Sequence, residues 1–196
     1  VEGLMTIVDR LPSPQREQII ALVGPKRSMG YVCLPIRGNA GEAIKQAARA
    51  IDPSHLASGG YVEDPHVTLL YGITGEQPED VAKVVRRLPS PNVVVGDAIV
   101  LDGSSGKGVP IALSVSGETI HSMHEKVCDE VMHVKTFPNY TPHITLAYVL
   151  PEFASLYTGP NELSDWAIDL EVAEVHGEDR ETVIEVPLRG MLSKEQ

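Results

Sequence analysis

The sequence has few cysteines, no long apolar run and no excess of basic residues. Only two cysteines occur among 196 residues, which excludes a disulfide framework as the basis of the fold, so Cys33 and Cys128 are predicted to be buried thiols. No apolar stretch approaches the roughly 20 residues that a membrane-spanning helix needs, and no basic segment followed by an apolar run indicates an export signal. We therefore expect a cytoplasmic protein without a membrane partner.

The charge balance restricts the class of partner. The chain carries 16 Lys and Arg against 27 Asp and Glu, a formal net charge of -11. Non-specific binding of long nucleic acid depends on many contacts from Lys and Arg to phosphates, which an acidic protein does not offer. A small nucleotide or short oligonucleotide in a local pocket stays compatible with this charge. The sequence makes no prediction about the oligomeric state.

The length suits one compact unit, either a single domain or two small lobes that share a core. Residues 1–28 are predicted to be an N-terminal extension with a short helix near 18–23. The compact domain is expected over residues 29–190, followed by a C-terminal tail at 191–196. The first residue is Val1 rather than methionine, which fits a fragment, a processed product or a tag remnant.

From residue 30 onward, strand and helix patterns alternate. Apolar residues at helical spacing predict helices over 41–51, 78–88 and 118–133. Short alternating or apolar runs predict strands over 31–36, 66–71, 92–101, 110–116 and 143–149, and a terminal hairpin of 167–175 against 182–188.

The second half of the domain repeats the first. Each half contains a strand, a helix and then a loop that ends in Pro-His-x-Thr-Leu, once around position 66 and once around position 143. The repeat occurs only twice and its interval is longer than a solenoid period. We therefore predict two lobes related by a pseudo-two-fold axis, with a cleft between them.

Each repeated motif presents two polar side chains on one face of a strand. Side chains at positions i and i+2 of a strand share a face, so His66-Val67-Thr68 and His143-Ile144-Thr145 each deliver one imidazole and one hydroxyl to the same surface. The intervening apolar residues point towards the helices. Continued alternation predicts that Tyr71 and Tyr148 also lie on that apolar face and serve mainly in packing.

This set of groups is what cleavage of a phosphodiester requires. Two histidines can act as base and acid near neutral pH, and two threonine hydroxyls can donate to the non-bridging oxygens, so no metal is needed. A single His-x-Thr on a strand is commonplace and usually marks a half-buried histidine with a satisfied hydrogen bond. Two matched copies favour the functional interpretation. The predicted catalytic residues are His66, His143, Thr68 and Thr145.

At these residues the sequence resembles the 2H phosphoesterase superfamily, which includes 2′-5′ RNA ligase-like proteins and cyclic phosphodiesterases. The matching motifs are His66-Val67-Thr68-Leu69 and His143-Ile144-Thr145-Leu146, and the order of elements is similar from about residue 30 to 190. The resemblance implies a bilobal α+β fold in which antiparallel sheets line a central cleft with helices outside, and no cofactor. Members open 2′,3′-cyclic phosphates, cleave 2′-5′ linkages or destroy cyclic nucleotide signals.

Aromatic side chains near the cleft are candidates for contact with a base. Tyr31 alternates with apolar residues of its strand, so it is predicted to face the cleft. Tyr140 and Tyr61 flank the motif strands and either close over a nucleotide or pack the loop. Ser114 and Ser116 are weaker candidates on the same alternation argument.

The remaining histidines give weaker signals. His121 and His124 lie three residues apart on a predicted helix, a spacing that can share a metal, but no third ligand has matching spacing. A solvated helix face is the favoured interpretation, and no metal site is predicted. His55, His133 and His176 are predicted to be surface residues.

Three functions therefore compete. The leading one is a metal-independent phosphodiesterase that acts on a small nucleotide, either a 2′,3′-cyclic phosphate, a 2′-5′ linkage or a cyclic oligonucleotide. A second is a phage counter-defence enzyme that degrades a cyclic nucleotide immune messenger. The third is a non-catalytic nucleotide-binding or virion-associated module, which would release its ligand unchanged.

Overall fold

A computed structural model describes residues 29–101, 106–135, 139–179 and 181–190. The predicted extension at 1–28 and tail at 191–196 lie outside the described residues. Within the described residues the helices are α1 (Gly38–Arg49), α2 (Pro78–Val85) and α3 (Glu118–Glu130). The strands are β1 (Gly30–Pro35), β2 (Leu56–Tyr61), β3 (His66–Ile73), β4 (Asn92–Val100), β5 (Val109–Ser116), β6 (His143–Val149), β7 (Ala167–Asp169), β8 (Val172–His176) and β9 (Val183–Pro187).

The helices form where an apolar stripe meets suitable end signals. In α1, Ile44 and Ala48 are four residues apart on the buried face. Helix α2 begins at Pro78, whose fixed φ suits the first helical position, and Glu79 and Asp80 follow in its first turn, where the helix dipole favours negative charge. None of the helices in the described ranges is long and apolar enough to cross a membrane.

The strands form one antiparallel sheet with a symmetric order. Its path is β7-β4-β5-β6-β3-β1-β8-β9, with β2 paired to β6 off this path. The two motif strands β3 and β6 are therefore central, and four strands of the path lie in each half. The predicted α+β class is confirmed, and the strands of the two lobes join into a single continuous sheet.

The joint between the two halves is narrow. Strands β3 and β6 have one pair of Cα partners, Val67 opposite Ile144, and both side chains are fully buried. Beyond this pair the edge of β6 is taken by β2, where Leu56 lies opposite Val149 and Tyr61 opposite Ala147. The two motif strands therefore diverge from a single point, which opens the cleft.

A β-bulge interrupts the first motif strand. Neighbouring residues Val32 and Cys33 of β1 lie opposite Leu70 and Thr68 of β3. Leu69 is thus an extra residue on β3, which is the definition of a bulge. Both leucines of the bulge are buried.

The second motif strand has the same bulge at the matching position. Neighbouring residues Ile111 and Ala112 of β5 lie opposite Ala147 and Thr145 of β6. Leu146 is therefore the extra residue here, and it is buried together with Ala147. The repeat thus extends to an irregularity of the backbone.

The bulges reverse the face on which the following tyrosines lie. Because one extra residue shifts the alternation, Tyr71 and Tyr148 are half-buried on the same side as the motif histidines rather than among the buried apolar residues. The prediction that these tyrosines face the helices was wrong, since strict alternation does not survive a bulge.

Two further predictions of secondary structure need correction. The stretch predicted as one hairpin arm at 167–175 is divided, since Ala167–Asp169 pairs with β4 and only Val172–His176 pairs with β9. Strand β2 was not predicted, because Gly59-Gly60 lacks a strand signal. Gly59 is needed there, since a Cβ atom would lie 2.6 Å from the Tyr148 ring.

Candidate active site

The register of β3 and β6 brings the four predicted catalytic side chains onto one face. In both strands the histidine and threonine are half-buried and alternate with a buried residue. Val67 and Ile144 are the paired residues of the two strands, and each lies between the histidine and the threonine of its own motif. The two motifs therefore adjoin at this pair, and His66 is close enough to His143 to act on it electrostatically.

Both imidazoles are held by the same hydrogen bond. His66 Nδ1 lies 2.7 Å from the carbonyl oxygen of Asp64, and His143 Nδ1 lies 2.7 Å from the carbonyl oxygen of Thr141. A carbonyl oxygen only accepts, so Nδ1 carries the proton and donates in both rings. Nε2 is therefore the atom of each ring that is left to accept or release a proton.

The electrostatic setting favours a neutral His143. Burial lowers the pKa of His143 below its usual value, and the charge of nearby His66 lowers it further, against an opposing effect of the hydrogen bond to Thr141. This lowered pKa favours the unprotonated form of His143. His143 is thus suited to start a reaction as a base.

Two side chains outside the first motif strand bind its backbone carbonyl groups. The Tyr140 hydroxyl donates to the carbonyl oxygen of Thr68 at 3.0 Å, and His124 Nδ1 lies 2.7 Å from the carbonyl oxygen of Leu69 in the bulge. The Tyr140 and His124 rings stack with their centroids 3.8 Å apart. The prediction that His124 lies on a solvated helix face was wrong, because this contact depends on residues distant in sequence.

Two of the three candidate base contacts are engaged with the main chain. The Tyr61 hydroxyl donates to the carbonyl oxygen of Ile51 at 2.7 Å, and its ring packs against the core. Tyr140 is likewise packed against the core, and burial raises the pKa of its hydroxyl. Both arrangements favour the packing alternative for Tyr61 and Tyr140.

Tyr31, in contrast, lies next to the motif. Its ring centroid is 6.5 Å from that of His66 and 6.3 Å from that of Tyr71. It stacks on His176 with centroids 4.1 Å apart and planes 7° from parallel. The structure therefore places the predicted tyrosine beside a catalytic candidate, together with two aromatic rings that the sequence did not assign to the cleft.

Other predicted surface histidines are also packed. The His176 side chain is only 15% exposed. The His55 ring stacks on Phe153 with centroids 3.7 Å apart. His133 is half-buried and its Nδ1 lies 2.9 Å from the carbonyl oxygen of Val131. Short-range sequence context failed for His176 and His55 because the rings on which they stack, Tyr31 and Phe153, lie far away in the sequence.

The second half contributes smaller groups to the cleft. Ser114 is the Cα partner of His143, which agrees with its prediction as a cleft residue, and its hydroxyl donates to the carbonyl oxygen of Asp97. Lys107 Nζ lies 5.5 Å from the centroid of the Tyr148 ring. Lys107 was not predicted as a site residue, since it lies in a glycine-rich connection without a motif.

A cavity of about 680 Å³ extends from His66 along the first half of the sheet. Its lining holds four carboxylates against two basic side chains. The carboxylates are those of Glu42, Glu63, Asp64 and Glu174, and the basic residues are Arg37 and Lys45. The cavity is thus rich in negative charge.

Comparison with known proteins assigns the family. A model of the 2′-5′ RNA ligase superfamily matches residues 39–176, which include both motifs. The chain therefore belongs to the 2′-5′ RNA ligase superfamily, within the 2H phosphoesterases. Membership supports phosphodiesterase chemistry as the general class of activity. No curated protein sequence matches the chain.

Solved structures share the fold at low sequence identity. The protein TT0787 of Thermus thermophilus matches with a TM-score of 0.58 and 14% identity, over 83% of this chain and 99% of that one. E. coli LigT complexed with 3′-AMP matches with a TM-score of 0.57 and 13% identity, over 83% of this chain and 95% of that one. Apo E. coli LigT gives 0.54 and 13%, over 83% and 98%.

Proposed function

We propose that this protein is a phosphodiesterase that cleaves a small nucleotide phosphodiester with His66 and His143 as an acid–base pair and without a catalytic metal. One observation carries the proposal: both imidazoles lie on one face of the central strands with Nδ1 bound to the main chain. Two rings with their reactive nitrogens available are what an in-line displacement at phosphorus needs.

In the proposed reaction His143 begins as the base and His66 as the acid. His143 Nε2 takes a proton from the attacking water or ribose hydroxyl as its oxygen bonds to phosphorus. His66 Nε2 gives a proton to the leaving oxygen as its bond to phosphorus breaks. The lowered pKa of His143 supports its role as the base.

The threonines supply the donors for the non-bridging oxygens. We expect the phosphate to lie between the two imidazoles, beside the pair Val67 and Ile144 at which the motif strands meet. Thr68 and Thr145 are half-buried like the histidines of their strands, so we expect their hydroxyls to donate to developing negative charge on the phosphate. The site thus combines positioning with proton transfer.

Three findings support a small nucleotide as the substrate. The net charge of -11 disfavours a long polyanion. Tyr31 offers an aromatic surface beside His66 on which a base can stack. The LigT structure with 3′-AMP shows that a protein with this fold holds a mononucleotide.

The test is a substrate panel with matched variants. Wild-type protein is incubated with 2′,3′-cyclic mononucleotides, 2′-5′ oligoadenylates and cyclic di- and trinucleotides, and the products are resolved by chromatography. We expect turnover of at least one class that survives EDTA. His66→Ala and His143→Ala should each lower that turnover by roughly 10² to 10⁴.

The control is His133→Ala. His133 is also half-buried and makes the same Nδ1 contact to the carbonyl two residues earlier, but it pairs with Ile73 outside the motif. It should keep wild-type turnover. Wild-type rates in both motif variants would contradict the proposal, and quantitative recovery of a tightly bound ligand would favour a binding module. Degradation of cyclic oligonucleotides alone would favour the messenger-degrading enzyme.

A further inference from the structure

A cluster of three potential metal ligands lies in the cavity on the first half of the sheet. Cys33 Sγ is 3.9 Å from Glu174 Oε2 and 3.8 Å from His176 Nε2. His176 Nε2 is 3.0 Å from Glu174 Oε2. The cluster thus combines a thiol, a carboxylate and an imidazole, and these three ligand atoms all lie within 4.8 Å of one another.

The sheet register produces this convergence. Cys33 of β1 and Glu174 of β8 are Cα partners in the antiparallel pair, so their side chains share a face. His176 follows Glu174 by two residues on the same strand and therefore shares that face as well. The three ligands thus come from rigid strands rather than from loops.

We propose that Cys33, Glu174 and His176 bind a divalent transition metal of the Zn²⁺ type, with a fourth coordination position open to the cavity. A tetrahedral ion with metal distances of about 2.3 Å to sulfur and about 2.0–2.2 Å to nitrogen and oxygen has ligand atoms roughly 3.3–3.6 Å apart. The distances in the cluster bracket this range, so small side-chain adjustments complete the geometry.

Neighbouring residues orient the ligands. Arg37 Nη2 lies 2.7 Å from Glu174 Oε1 and 2.6 Å from Glu185 Oε2, so it holds one oxygen of Glu174 and leaves Oε2 directed at the cluster. Tyr31 stacks on the His176 ring and fixes its plane. Partners of this kind, which hold a ligand from outside, are typical of metal sites.

The charge and chemistry of the cavity agree with a bound cation. Its lining has four carboxylates and two basic residues, so a divalent ion reduces an existing excess of negative charge. A thiol combined with an imidazole and a carboxylate selects Zn²⁺ or a similar ion over Mg²⁺ or Ca²⁺, which prefer oxygen ligands alone. On binding, the Cys33 thiol releases its proton to solvent and the thiolate bonds to the ion.

The cluster shares its cavity with His66 but uses different side chains from the proposed acid–base pair. Cys33 is the Cα partner of Thr68, so the cluster lies about one strand spacing, roughly 4.8 Å, from the motif strand. None of its ligands is a catalytic candidate. The inference therefore does not depend on the proposed function.

The test uses the whole protein, freed of any histidine tag, titrated with Co²⁺ as a spectroscopic substitute for Zn²⁺. We expect one equivalent to produce a near-ultraviolet band from sulfur-to-cobalt charge transfer, and Zn²⁺ to displace it. C33S should abolish the band, and E174Q and H176Q should each weaken Co²⁺ binding by at least about tenfold.

Two controls separate this site from others. C128S should keep the band. Cys128 Sγ also lies close to an imidazole, 3.5 Å from His124 Nε2, but among the described residues no third ligand converges with these two atoms. H66A should also bind Co²⁺ normally, even though its turnover falls. Failure of catalysis and failure of metal binding are thereby distinguishable.

The inference is overturned if wild-type protein shows no saturable Co²⁺ or Zn²⁺ binding, or if binding persists unchanged in C33S. It is also overturned if H66A loses the ion. Circular dichroism checks that each variant is folded. H176Q serves as the decisive variant should C33S fail to fold, since the His176 side chain is partly exposed whereas Cys33 is buried.

Discussion

The two halves of the sheet match at the motif strands and differ in the strands beside them. In β3 and β6 the histidine, the threonine, the bulge and the following tyrosine recur at the same positions. On β1, Tyr31 and Cys33 lie opposite Tyr71 and Thr68. The corresponding positions of β5, which lie opposite Tyr148 and Thr145, hold Pro110 and Ala112.

The next strands differ in the same way. Cys33 has Glu174 as its partner on β8, whereas Ala112 has Ile99 as its partner on β4. At these matching positions the first half thus carries polar or aromatic side chains, whereas the second carries small or apolar ones. The repeated elements thus include the four proposed catalytic residues, whereas the strands beside them differ between the halves, and we expect these strands to determine what else enters the cleft.

The largest effect should follow from weakening the joint between the halves. Ile144→Ala removes a fully buried side chain, and such changes lower the free energy of unfolding by about 2–5 kcal/mol. Urea denaturation measures the loss. The half-buried Ile184 of the outer strand β9 is the control, and Ile184→Ala should cost clearly less. Equal losses of unfolding free energy in the two variants would show that the pair joining the halves contributes no more stability than an outer strand.

The threonines test whether the halves contribute equally to turnover. Thr68→Val and Thr145→Val keep the shape of the side chain but remove a donor, so each should lower kcat by roughly 10²-fold. Steady-state kinetics on the best substrate of the panel gives the ratio. Thr158→Val, at an exposed threonine outside the sheet, should have no effect. A large loss in only one motif variant would break the symmetry of the site.

Two tyrosines provide a finer comparison. Tyr140→Phe and Tyr61→Phe each remove one hydrogen bond to a backbone carbonyl, so each should lower the free energy of unfolding by about 1 kcal/mol. Only Tyr140 holds the carbonyl of Thr68. Tyr140→Phe alone should therefore slow turnover, by a few-fold. A similar slowing by Tyr61→Phe would show that the support of β3 is not specific.

The smallest effect concerns pH. Because burial lowers the pKa of His143, the acid limb of kcat/KM should fall below about pH 6.5, the usual value for histidine. The preference for neutral His143 also adds stability that is present above about pH 6.5 and is lost as pH falls through the lower folded pKa. A pH profile compared with that of His143→Ala measures both. An acid limb of kcat/KM with its midpoint at or above pH 6.5 would contradict the role of His143 as the base.

Sequence reasoning predicted the features that depend on local pattern. The helices, the motif strands and the cleft position of Tyr31 follow from periodicity that neighbouring residues enforce. The bulges at Leu69 and Leu146 could not be predicted, because an extra residue in a strand leaves no compositional trace. The assignment of Tyr71 to the wrong face followed from this.

Contacts between distant segments were also beyond prediction. His176 has no local signal, and its packing depends on Cys33 and Tyr31, which lie far away in the sequence. Gly59 reads as a strand breaker, yet the closeness of the Tyr148 ring makes a glycine necessary there. In each case the deciding partner is known only once the sheet is assembled.

The hydrogen bonds from Nδ1 to the main chain have a consequence for the catalytic cycle. A ring that can exchange protons at only one nitrogen cannot pass a proton through itself from one side to the other. After one proposed turnover His143 is therefore charged and His66 neutral, the reverse of the starting state. The protein must then return a proton to solvent and take one up before it can act again in the same direction, whereas the opposite reaction could begin at once.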